Sequence, residues 1–220
     1  MNRERWQDQV VDGSFRLLRY LGGSESSAVF LTEYGEGASQ RAAIKLVPAD
    51  AVDAGRLLAR WEAARWLSHP HLIRLFQTGR CRVEDREVLY LVMEYAEEDL
   101  ARVLAERPLS PAEALEVLGP AIDALEHLHA KGFSHARLKP SNILAAGDQL
   151  KLSSDGVRPH GEASGGPESA SAYDAPELPA GGAPPSGDVW SLAITLVEAL
   201  TQRPPVREAP ALPDSLPQPF

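Results

Sequence analysis

His135-Ala136-Arg137-Leu138-Lys139-Pro140-Ser141-Asn142 is the stretch on which the reading of this chain turns. It is a short basic loop between two patterned regions. Before it, Ser110-Pro111-Ala112-Glu113 forms a capping box with proline at the first helical position, and Lys131-Gly132 closes the same helix. Leu115, Leu118, Ile122, Leu125 and Leu128 recur at helical spacing and predict its apolar face. After the loop, residues 154–185 are rich in Gly, Ser, Ala and Pro and read as open chain. A further helix starts near Ser186 and carries Val189, Leu192, Ala193, Leu196 and Leu200. Further out towards the N-terminus the pattern changes. Phe15–Leu21, Ala28–Glu33, Ala42–Val47 and Val88–Met93 are short, branched or aromatic apolar runs that predict strands, with one helix predicted over Asp53–Leu67. A strand-rich half with one helix precedes a helical half, so the fold class is α+β.

Composition narrows the functional classes. The chain has 220 residues and a net charge of −9, which argues against nucleic acid as a main partner. No apolar run is long enough to span a bilayer, and the polar start Asn2-Arg3-Glu4-Arg5 does not read as a signal peptide. Cys81 is the lone cysteine, which rules out an internal disulfide and suits a reducing, cytoplasmic setting.

The order of these elements, with the motifs inside them, resembles the eukaryotic-like serine/threonine protein kinases of bacteria over roughly residues 13–205. Leu21–Phe30, LGGSESSAVF, stands where that family has its glycine-rich loop. Ala43-Ile44-Lys45 matches the strand-lysine motif and His69-Pro70-His71-Leu72-Ile73 the stretch leading into the next strand. The quoted loop matches the catalytic loop. Asp174-Ala175-Pro176-Glu177 and Asp188-Val189-Trp190-Ser191-Leu192 match the end of the activation segment and the helix after it. The resemblance implies a two-lobed fold. Residues 1–12 read as an N-terminal extension, 13–96 as the β-rich lobe and hinge, 97–205 as a partial helical lobe. Residues 206–220 read as a Pro-rich tail or the start of the lobe's missing portion. A family domain continues with further helices, so a fragment of a longer protein is the expected reading.

The resemblance also assigns chemistry. Phosphoryl transfer needs a base-like aspartate, oxygen ligands for magnesium, and a lysine on the phosphates held by a glutamate. The aspartate position is Arg137, which stays protonated and cannot accept a proton, and the preceding motif arginine is Ala136. The metal-binding aspartate position is Ser154, followed by Asp155 and Gly156. Gly22, Ser24 and Ser27 occupy the three glycine positions of the phosphate loop. Lys45, Lys139 and Asn142 keep their family types. Ungapped counting puts Arg60 at the glutamate position, with Glu62 two residues away as the other candidate partner of Lys45. Val29, Ala43, Met93 and Leu144, with the hinge Glu94-Tyr95-Ala96, match the residues that hold adenine. Asp188 is expected to anchor the catalytic-loop backbone, and Ser164, Ser169 and Ser171 are weaker phosphosite candidates.

The expectation from these residues is a pseudokinase: not an enzyme, with no catalytic residues, no bound metal and no required cofactor. It would work as a scaffold or regulator for a protein partner. ATP or ADP would bind weakly and without magnesium, if at all. The alternatives are a weak or atypical serine/threonine kinase that uses Asp155 and Asn142 for metal, and a purely structural domain.

Overall fold

The computed structural model describes residues 6–35, 39–162, 171–175 and 184–205. The chain divides into two compact units, one built from Met1–Ser68 and Ile73–Ala96, the other from His69–Leu72 and Glu97–Phe220. The first is β-rich and the second mainly helical, the α+β arrangement expected.

In the first unit, β1 (Val10–Val11) and β2 (Phe15–Arg16) form a small hairpin. A five-stranded antiparallel sheet follows, from β3 (Arg19–Ser24), β4 (Ser27–Tyr34), β5 (Gln40–Pro48), β6 (Leu75–Val83) and β7 (Arg86–Glu94), in the order β3-β4-β5-β7-β6. Period-two alternation sorts the side chains. Ala28, Phe30, Ala42, Ile44, Leu46, Val88, Tyr90 and Val92 join Trp6, Val11, Phe15 and Leu17 in one buried cluster. Trp6 and Val11, expected within an extension over residues 1–12, are therefore part of this unit's core. The edge strand β6 follows His69–Ile73, where the resemblance implies a strand; its apolar pattern alone does not mark it, because Gln77, Thr78, Arg80 and Arg82 interrupt it. Between β5 and β6 runs α1 (Ala54–Ala64), capped by Asp53, which accepts from the Arg56 N–H, with Trp61 and Ala64 buried.

In the second unit, β8 (Glu98–Asp99), β10 (Ile143–Ala146) and β11 (Gln149–Leu152) form a three-stranded sheet. A pair of short strands, β9 (Phe133–Ser134) and β12 (Arg158–Pro159), lies antiparallel. The helices are α2 (Leu100–Glu106), α3 (Pro111–Ala130) and α4 (Pro185–Thr201). The capping box on α3 is formed in both directions, Glu113 N–H to Ser110 Oγ and Ser110 N–H to Glu113 Oε2.

The buried faces of α3 and α4 differ from the expected ones. On α3 the core side is Ala114, Val117, Ala121, Ala124, Leu125 and Leu128, while Leu115 and Ile122 remain 47% and 39% exposed. On α4 it is Asp188, Ser191, Leu192, Ile194, Thr195, Ala199 and Leu200, and Val189 is 61% exposed. The two helices pack on each other, and α3 also packs on β11; its buried residues include the small Ala114, Ala121 and Ala124. The large leucines that mark the sequence pattern are partly displaced to the rim.

Candidate functional site

Cross-strand register gathers the candidate residues of the first unit. Val29 is opposite Lys45, and Ala43 is opposite both Leu31 and Met93. Directly paired residues share a sheet face. Val29, Ala43, Lys45 and Met93 thus lie together on the face away from the aromatic core. At the end of β7 the Glu94 N–H donates to the Arg74 carbonyl at 2.8 Å, and its carboxylate accepts from the Arg74 N–H. Ala96 is the last residue of the unit.

The β3–β4 hairpin turns at Glu25-Ser26, with Ser24 opposite Ser27 and their hydroxyls 2.8 Å apart. The glycine that this turn cannot lose is one the motif count passed over. A Cβ on Gly23 would stand 2.3 Å from the Ser27 carbonyl oxygen; one on Gly22 would meet nothing, though its φ of +154 is itself a conformation that favours glycine. Gly-Gly doublets before a serine-rich turn are the signal that would have found it. The carboxylate of Glu62 is bound by Arg65, one turn on, at 2.9 Å. Arg60 is half-buried on the same helix.

In the second unit the loop 135–142 is held by α4. Asp188, 1% exposed in the first turn of that helix, accepts three bonds of 2.8 Å. The donors are the backbone N–H groups of His135 and Ala136 and the Nε2–H of His129. Ala136 has φ +60, an uncommon left-handed backbone for a residue with a Cβ, and the carboxylate clamps it there. His129 was not singled out from the sequence; a histidine in the last turn of α3, just ahead of the loop, was the available signal. Asn142 donates its side-chain amide to the Arg137 carbonyl, and its own carbonyl accepts from the Ser153 N–H at 3.0 Å. His135 is fully buried, and burial pulls its imidazole below the ordinary value.

Arg137 and the segment Ser154-Asp155-Gly156 meet. A Cβ on Gly156 would lie 3.1 Å from Cβ and Cγ of Arg137, so the arginine stem lies against that glycine. Ser154 is 1% exposed and its hydroxyl has no hydrogen-bond partner among the described residues. Lys139 is exposed, and Leu144 is half-buried on β10, opposite Asp99 and Lys151. Among the described residues no group of three His, Cys, Asp or Glu side chains comes together to hold a metal. Where the resemblance implies a metal-binding carboxylate, this segment carries Ser154, followed by Asp155 and by a Gly156 that the Arg137 stem lies against. Ser164, Ser169, Pro176 and Glu177 lie outside the described residues, as does the segment 206–220.

Comparison with protein families matches residues 15–213 to the protein kinase domain. This chain belongs to the protein kinase domain family. It is 29% identical over 212 residues to the serine/threonine-protein kinase PrkC of Bacillus subtilis, across 89% of this chain and 31% of that protein. It is 34% identical over 157 residues to pkn2 of Myxococcus xanthus, across 67% of this chain and 18% of the relative. It is 32% identical over 150 residues to PknB of Mycobacterium tuberculosis, across 63% and 24%. This chain thus spans about a third or less of the length of these curated relatives.

These relatives correct one expectation. A domain that is not an enzyme was anticipated from Arg137 and Ser154, but the family and the names of PrkC, pkn2 and PknB as serine/threonine-protein kinases point to an enzyme. The physical reason lies in the reaction. Its transition state is loose and demands positioning and charge stabilisation more than covalent help, so a changed base position does not by itself remove catalysis. No helix among the described residues is long and apolar enough to cross a membrane.

Proposed function

We propose that this chain is an atypical serine/threonine protein kinase domain that holds an adenine nucleotide mainly by its base and moves phosphate with cationic side chains. The observation that carries the reading is the clamped loop. Asp188 and Asn142 fix the backbone on both sides of Arg137, which is the positioning work that phosphoryl transfer demands. On this reading Val29, Ala43 and Met93, with the hinge backbone from Glu94 to Ala96, are the first unit's surface for the base, and Lys45 is its cation for the phosphates. Within the second unit Asn142 keeps the loop in place, and Arg137 and Lys139 supply its positive charge. The hydroxyl proton leaves to a phosphate oxygen or to water, since Arg137 cannot take it. Binding of ATP or ADP does not depend on magnesium. The lone, half-buried Cys81, whose thiol burial pushes up, fits a cytoplasmic setting.

The test is transfer from labelled ATP to the protein itself and to generic protein substrates, with Lys45→Ala as the control. The expected result is slow transfer that disappears in the control. It should rise in Arg137→Asp combined with Ser154→Asp, by about 100-fold or more if each acid restores an electrostatic contribution of the usual size. No transfer from either the unaltered or the restored protein would overturn the proposal.

A second reading is favoured by Arg137 itself, a cation where an acid would orient the hydroxyl. The domain's output then passes through docking to a protein partner, as scaffold or regulator. Co-purification of one defined partner that survives Lys45→Ala and is lost on Arg137→Asp supports it.

A further inference from the structure

The sequence motif His69-Pro70-His71 has a use that phosphoryl transfer does not absorb. His69–Leu72 belongs to the second unit, while the residues on either side belong to the first. Its hold on the second unit is made of histidine. The His69 ring stacks on His127 of α3, with centroids 4.9 Å apart and planes 30° from parallel, and lies 5.8 Å from the His71 ring. The His71 N–H donates to His69 Nδ1 at 3.3 Å. His71 Nδ1 in turn donates to the Leu150 carbonyl on β11 at 2.8 Å, since a carbonyl can only accept. The Leu152 N–H donates to the His71 carbonyl, and the Leu72 N–H to the His69 carbonyl.

We propose that this cluster is a protonation-sensitive anchor, which holds the His69–Leu72 segment on α3 and β11 when His69 is neutral and loosens it when His69 takes up a proton. The bond to His69 Nδ1 carries the argument. A nitrogen that accepts a backbone N–H has a lone pair and no proton. Protonation puts a hydrogen there and turns the bond into a donor facing a donor. The new charge also sits against the His127 ring, where a second proton would repel it.

The surrounding groups bear on the same balance. From α3, His127 opposes charge on His69 and Asp123 favours it; His71 on its own segment opposes it. The β11 strand contributes the Leu150 carbonyl to His71, and its one charged residue, Lys151, is buried. Burial is the largest influence and lowers the His69 imidazole below its ordinary 6.5, with His127 and His71 next. The sign follows. The detached segment takes up its proton at higher pH than the docked one, so the anchor is complete above 6.5 and is lost as pH falls below it.

The experiment is a histidine titration by NMR on the full chain. It is paired with hydrogen exchange at the Leu72 and Leu152 amides from about pH 7.5 to about pH 5.5, corrected for intrinsic rates. His69 should titrate below 6.5. Both amides should lose protection as it does so, ahead of the amides inside α3. In His127→Phe, which keeps a flat ring for stacking but no second charge, His69 should titrate closer to 6.5 and the loss of protection should weaken. His71→Asn serves if that variant does not fold, with the same expected direction. A His69 that titrates at or above 6.5 in the unaltered chain overturns the proposal. So does protection at Leu72 and Leu152 that ignores pH.

Discussion

Replacing Asp188 by alanine removes the acceptor for two backbone N–H groups, the buried one of His135 and the half-buried one of Ala136, and for the His129 ring. Hydrogen bonds to a charged group contribute about 1.5–3 kcal/mol each. Nothing in the new side chain replaces them, so the two backbone bonds alone predict a loss of about 3–6 kcal/mol. For a chain of this size that is a fall in melting temperature of roughly 6–24 °C. Asp188→Asn keeps one acceptor oxygen and loses the charge, and should fall between the two proteins. The strained φ of Ala136 has no other side chain among the described contacts to hold it, so the damage should start there. Thermal melts followed by circular dichroism give the global loss, and hydrogen exchange at His135 and Ala136 gives the local one. An Asp188→Ala protein that melts within a degree or two of the unaltered chain would refute the clamp.

Adenosine, ADP and ATP should raise the melting temperature by similar amounts with or without magnesium, and Ala43→Trp should abolish all three shifts; an ATP shift that vanishes on chelation would show a working metal site instead. Gly23→Ala places a methyl 2.3 Å from the Ser27 carbonyl, so the β3–β4 hairpin must open there. A loss of about 1–3 kcal/mol in urea unfolding is expected, and a change under 0.5 kcal/mol would sink the close-approach reading. Glu113 is held down to about 2, first by Arg107 and then by the Ser110 amide and hydroxyl. The stability it adds is present above its ordinary 4.5 and is lost as pH falls towards about 2. Glu113→Gln should flatten the acid limb of the stability profile over that window, and an unchanged limb would remove the capping carboxylate as its cause.

Local features were legible in the sequence because their causes are local. The capping box at Ser110, the alternation in β4, β5 and β7, and the helical spacing through Trp61 and Ala64 depend on neighbours a few residues apart. The order of the motifs carried the fold class and the family. It could not carry the enzyme question, because Arg137 and Ser154 name side chains and not a rate. Other features needed the tertiary structure, because they depend on which distant groups meet. Ala114 and Ala121 face inward on α3 while Leu115 and Ile122 do not, a choice made by what packs on the helix, α4 and β11 among it. Gly23 is indispensable because of a carbonyl across a hairpin. Asp188 meets His129, His135 and Ala136 across more than fifty residues, and His69 stacks on His127 across a similar span. No local pattern in the chain records which distant groups will meet or what will bury them.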